Sequence, residues 1–188
     1  MFDLFSAFGL AGSAGLNAYI PLLLVALAAR FPLADPLLNL AEPYNVMGSW
    51  WAIGIISVLL VIEMLVDKVP AVDTINDVIQ TFVRPAAGAV LFAANANIVN
   101  DVHPMLALGA GLIVAGSVHA VKGVARPIVT ATTAGTGNWF VSLVEDIVAF
   151  FTSILAIFLP VLGVLLLVIL LFYGIRLYRR RKQRAVLR

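Results

Sequence analysis

The chain has 188 residues, 62% hydrophobic and 12% charged, with a mean hydropathy of +1.06, which excludes an ordinary soluble domain because so small a globule could not hide that much apolar surface. A formal net charge of +2 is no footprint for nucleic acid, since six of the twelve basic residues crowd into the last eleven positions as a tail. With no cysteine, disulfides, thiolate catalysis and cysteine metal sites are excluded.

The N-terminus, Met1-Phe2-Asp3-Leu4, lacks a basic leader region and reads as the start of a first apolar span, from about Leu4 to Ala29. Ala7, Ala11 and Gly15 recur every fourth position there, a stripe that lets another helix approach closely. Asn17, Tyr19 and Pro21 interrupt the run near its middle, where Pro21 removes a backbone hydrogen bond and is expected to kink or break the helix. The segment Phe31 to Met47, with Pro32, Pro36 and Pro43, reads as a loop on the membrane surface, and Trp50 and Trp51 mark the return to the interface.

A second span, about Trp51 to Val66, ends in Asp67-Lys68-Val69-Pro70. Thr74 and Asp77 stand at capping-box spacing at the start of an amphipathic helix. On that helix Asp73, Asp77, Gln80, Thr81 and Arg84 share one face, and Ile75, Val78, Ile79 and Phe82 the other. Arg84-Pro85 is expected to end or kink it, with Ala86 to about Ile98 continuing as a short third span. After Asn100-Asp101-Val102-His103-Pro104 comes a fourth span, Met105 to about Val121, carrying the stripe Ala107, Gly111, Ala115 that His119 continues. A loop containing Arg126-Pro127 and Thr130 to Gly137 is expected next. A helix from Asn138 then carries Ser142, Glu145, Asp146 and Ala149 on one side, and Leu159-Pro160 divides it from a sixth span.

The fold class expected is therefore an all-α, polytopic transmembrane bundle of about six spans with broken or amphipathic half-helices, covering 1–176, followed by a basic cytoplasmic tail over 177–188. Six spans place eleven of the twelve basic residues on one side and only Arg30 opposite, which the positive-inside rule reads as a multi-pass protein of the inner (plasma) membrane with both termini cytoplasmic. Five spans would separate the two ends. An internal repeat is also suggested: Ile62 to Pro104 parallels Val118 to Pro160, while Ala11-Gly12-Ser13 and Ala115-Gly116-Ser117 pair as inverted halves, and both pairings stay open.

Taken together, Gly15-Leu16-Asn17-Ala18-Tyr19-Ile20-Pro21, Glu63 with Asp67-Lys68-Val69-Pro70 and Asp73, Arg84-Pro85, His119 with Lys122, and Asn138 followed by Glu145-Asp146 resemble an uncharacterised bacterial inner-membrane family, domain of unknown function 4126. The resemblance runs from Gly9 to about Arg180. It implies a compact multi-span membrane protein and leaves its activity open.

Ionisable groups inside spans are costly, so they mark candidate sites. Glu63 and Asp67 share a helix face near Lys68, Asp73 and Arg84, while His119 and Lys122 lie near Arg126, Asn138, Glu145 and Asp146. With Asn17, these residues are the candidates for binding a small polar or anionic substrate or an ion, the two groups being expected at similar depth. Glu63 is expected to need a buried role, His119 points along its stripe into the bundle, and Lys68, Arg84 and Arg126 are expected to snorkel to the interface. His103 and His119 fall on opposite sides, no zinc spacing, phosphate-cradling loop or nucleophile elbow occurs, and no metal, cofactor or catalytic residue is expected.

The function expected is a transporter, flippase or channel, with proton coupling through Glu63. The alternatives are a structural or assembly protein of the membrane and, behind it, a lipid hydrolase using Glu63, His119 and Asp146. Membrane lipids, the substrate and a second copy of the chain are the partners expected, with no nucleic acid. The tail Arg179-Arg180-Arg181-Lys182-Gln183-Arg184 suits anionic lipid.

Overall fold

The computed structural model describes residues 2–32, 37–66, 70–95, 102–133 and 137–160 and seven single positions from Leu162 to Arg176, with side chains described at these except for 2, 3, 70–75, 77 and 128. Among the described residues the chain is helical: α1 (Phe2–Leu16), α2 (Tyr19–Ala28), a 3₁₀ turn (Tyr44–Gly48), α3 (Trp50–Val66), α4 (Pro70–Ala93), α5 (Pro104–Thr133) and α6 (Gly137–Phe158). Asp67 and Lys68, the expected sixth span apart from single positions, and the basic tail over 177–188 lie outside the described residues. Two helices, α5 with 30 residues and α6 with 22, have the length and apolarity to cross a hydrocarbon layer, which takes roughly 20 residues at 1.5 Å each.

The chain departs from its expected boundaries at the start of α4, which begins at Pro70 and so leaves Thr74 inside the helix and not at its cap, and in three further places. First, the break in the first span falls at Asn17-Ala18, and Pro21 sits inside the first turn of α2, where a missing N–H leaves no intrahelical bond unmade. Second, Arg84-Pro85 does not end a helix, because α4 runs unbroken through Pro85 and joins the amphipathic helix to the third apolar run. Third, Arg126-Pro127 is not in a loop, since α5 continues through Pro127 to Thr133. An interior proline costs a helix about 3 kcal/mol; beside Pro85 the buried Arg84, Ala87, Gly88 and Ala89 offset that cost, and beside Pro127 the buried Arg126 is held by Glu145. The last boundary agrees: α6 stops at Phe158, before Pro160.

α1 packs against α4, α5 and α6, and the most extensive interface is between α4 and α5. The reason is steric. A Cβ on Gly88 would stand 2.3 Å from the Ala115 Cβ and 2.9 Å from the Gly111 carbonyl oxygen, and one on Gly111 would stand 2.3 Å from the Gly88 carbonyl oxygen. A Cβ on Gly15 would likewise meet the Ala115 carbonyl oxygen at 2.5 Å. Both small-residue stripes read from the sequence are thus the seams where α1, α4 and α5 meet. On the α1–α6 seam, the Ser13 hydroxyl bonds the Ala149 carbonyl oxygen at 2.7 Å and the Ser153 hydroxyl at 2.6 Å.

The segment after α2 is pinned to the bundle end. The Leu38 N–H donates to the Ala28 carbonyl (3.1 Å) and the Ala41 N–H to the Ala94 carbonyl (2.9 Å), while Met47 is buried. α3 is peripheral: of its residues only Ile53 and Glu63 are buried.

Replacing Gly88 with Val should cost about 1–3 kcal/mol by overpacking the α4–α5 crossing, whereas Gly54→Ala on α3, whose Cβ would meet nothing within 4 Å, should leave stability unchanged or slightly raised. Thermal unfolding of the two purified variants in detergent measures both.

Candidate functional site

The site is assembled where the first apolar run breaks. Past Leu16, the Asn17 side chain turns to cap α2: its Oδ1 accepts from the N–H groups of Tyr19 (3.0 Å) and Ile20 (3.1 Å), and its Nδ2 donates to Asp146 Oδ1 of α6 at 2.9 Å. On the other side of the break, Lys122 Nζ of α5 donates to the Leu16 carbonyl at 3.3 Å. A break exposes backbone groups that must find partners in the interior, and here asparagine with Asp146 serves the amide end and lysine the carbonyl end. The charges complement the half-helix dipoles, anionic at the α2 N-terminus and cationic at the α1 C-terminus.

Lys122 also pairs with Glu145 Oε2 of α6 at 2.8 Å, and the same carboxylate oxygen lies 3.6 Å from Arg126 Nη2. Next to this cluster, Arg84 Nη2 of α4 donates to Glu63 Oε1 of α3 at 3.0 Å, and both side chains are 1% exposed. Arg84 Nη1 reaches His119 Nδ1 at 3.4 Å, and His119 Nε2 lies 3.2 Å from the Thr81 hydroxyl. The two polar groups distinguished in the sequence therefore meet, at the contact of Arg84 with His119. Arg84, Lys122 and Arg126 are matched by Glu63, Glu145 and Asp146, so the network is close to charge-balanced.

Arg84 and Arg126 do not snorkel, contrary to expectation, because both are buried among these carboxylates. The register explains it for Arg84. It lies one turn before Gly88, whose contact with α5 brings the Arg84 turn level with His119. Asn138 sits at the edge of the site, where it exchanges hydrogen bonds with the Thr130 hydroxyl. Asp73 falls in the first turn of α4 and its side chain, like Asp67 and Lys68, lies outside the described residues.

Sequence reading passed over Gln80 and Thr81 as site residues. Gln80 is buried beside Tyr19 and its Oε1 has no hydrogen-bond partner among the described residues. The signal was present, since both lie on the same amphipathic face as Arg84. Among the described residues no group of three or more His, Cys, Asp or Glu side chains is placed to hold a metal ion.

Breaking a buried ion pair by removing one partner strands the other charge, at about 3–5 kcal/mol, while removing both is close to neutral. Arg84→Leu and Glu63→Leu should therefore each destabilise strongly, and the double variant Glu63→Leu/Arg84→Leu should recover most of the loss in a double-mutant unfolding cycle. Asn17→Ala should cost about 1 kcal/mol through the lost cap, by the same measurement.

Set beside known proteins, the chain matches no curated protein and no solved structure. Over residues 4–180 it matches the sequence profile described as domain of unknown function (DUF4126), and the chain belongs to that family.

Proposed function

We propose that the chain is a multi-span membrane transport protein for a small polar or anionic solute, with the α1–α2 break and its ion network as the translocation site. The membrane part of the reading is supported by exposure: only 22% and 28% of the most apolar stretches of α5 and α6 are buried inside the protein, whereas the core helix of a soluble protein would be mostly covered. Large apolar side chains on every flank, among them Trp51, Phe82, Met105 and Phe140, face outward, which suits hydrocarbon as the solvent. On this reading six spans carry both ends to the cytoplasmic side of a bacterial inner membrane, the orientation that the basic tail favours.

The observation that carries the transport reading is the broken helix at the ion network. Non-helical backbone at depth is tolerated where it lines a site, and half-helix ends that point at charged groups recur in secondary transporters. Here Lys122 and Asp146 occupy the two ends internally. A solute anion would compete with Glu145 and Asp146 for Lys122, Arg126 and the Asn17 amide, and release of Glu63 from Arg84 would let it take up a proton. His119 touches Arg84 and would transmit that change between the α3–α4 and α5–α6 pairs. A second reading, a purely structural role, has its own observation: Glu63 and Arg84 are paired and dry.

The two readings part in pyranine-loaded proteoliposomes given inorganic phosphate or acetate across an imposed pH gradient. Transport predicts proton movement that depends on one of the anions and that falls at least about tenfold, the equivalent of one lost charge-assisted bond, in Lys122→Gln, His119→Ala and Glu63→Gln. Unchanged flux in Glu63→Gln and His119→Ala would refute those assignments. No flux in any form, with reduced folding yield in the variants alone, supports the structural role.

A further inference from the structure

Far from the ion network, the end of α2 and the start of α3 present a different combination. Arg30, just past α2, places its guanidinium carbon 5.0 Å from the centroid of the Trp50 ring, and Phe31 meets the same ring edge-on at 5.8 Å. Unlike Arg84, Lys122 and Arg126, Arg30 has no carboxylate partner among the described residues. From Trp50 an apolar groove runs along α3, lined by Trp50, Trp51, Gly54, Ile55, Val58 and Leu59. Gly54 lies open within it, since a Cβ there would meet nothing within 4 Å. Nine residue steps from Trp50 to Leu59 give a furrow on the order of 13 Å long, with a cation at one end and only hydrocarbon along it.

The geometry points to a binding site for one anionic phospholipid, with the phosphate on Arg30, the glycerol region beside Trp50 and an acyl chain in the Gly54 furrow. Charge complementarity selects the occupant. A cation held over an indole and, among the described residues, lacking an acidic partner attracts a phosphodiester, with which guanidinium forms strong paired hydrogen bonds. The apolar furrow continues from the cation as an acyl chain continues from its headgroup, and tryptophan at the junction suits the membrane interface. This site rests on the membrane-embedded part of the proposed function and is independent of transport. Arg30, the single basic residue that the positive-inside count leaves on the far side, thereby acquires a role.

The test is native mass spectrometry of the full chain in detergent, titrated separately with phosphatidylglycerol and phosphatidylcholine. The wild type should retain one phosphatidylglycerol about tenfold more tightly than phosphatidylcholine, the difference that one charge-assisted hydrogen bond gives. Arg30→Gln should abolish that preference, and Gly54→Leu, whose side chain would occupy the furrow, should weaken both lipids. Equal retention of the two lipids by the wild type overturns the proposal, as does wild-type binding in both variants. Cross-linking of Trp51→Cys between two copies of the chain, with lipid excluded, overturns it in favour of a self-interface. Alkaline carbonate extraction of the wild type from membranes tests the membrane reading separately: release to the supernatant would sink that reading whatever the lipid titration shows.

Discussion

A guanidinium in the middle of a helical bundle has to be compensated on the spot, and Arg84 meets that requirement in a way that sets the position of its neighbours. Taking an ion out of water costs several kcal/mol even after relaxation, so a partner carboxylate must lie in reach. Glu63 supplies it from α3, a helix with only one other buried residue, Ile53. α3 otherwise rests mainly on α2 and the 3₁₀ turn, and the ion pair ties it to α4 as well. On the other side of Arg84, the approach of Gly88 to Gly111 and Ala115 fixes the depth at which α5 is met, and His119 arrives one turn beyond. Small residues and buried charge are two aspects of the same crossing: the first sets distance and the second sets register.

The same logic governs the break in the first apolar run. Leu16 and Tyr19 end and begin helices whose free backbone groups need hydrogen-bond partners. Lys122 and the Asn17–Asp146 pair satisfy them from the side, and Lys122 is in turn held by Glu145. Each Arg-Pro arginine holds a glutamate on an adjacent helix, Arg84 that of the preceding α3 and Arg126 that of the following α6. This reversal of order is compatible with inverted halves, which the sequence alone left beside a parallel pairing.

Much of this was legible from residue type and spacing. The small-residue stripes announced the close seams because nothing but a missing side chain allows backbones that near. Glu63 announced a buried partner because its neighbours Ile62 and Met64 left it no route to water. What stayed hidden depended on tertiary context. Proline reads locally as a helix stop, but the arginines before Pro85 and Pro127 are held inside by glutamates of neighbouring helices, and both helices continue, so two boundaries moved. The Arg84 side chain is long enough to snorkel, and only its level on α4 opposite His119 keeps it inside. Likewise, no pattern in one dimension could say that Arg84 and His119 touch, since they lie 35 positions apart on helices whose order around the bundle is not written in periodicity.

The prolines that failed to end their helices leave a mechanical signature. Each lacks the N–H that would bond the carbonyl four residues earlier, so α4 has one unclosed rung at Thr81 and α5 one at Gly123. In both cases the arginine immediately before the proline lies within that open turn. Bending either helix there would alter the lever arm on which its guanidinium is carried, and with it the distance to Glu63 or Glu145, without unwinding any intact turn. The ion pairs therefore act as clasps across the most compliant points of the two longest helices, coupling the curvature of the backbone to the electrostatics of the site.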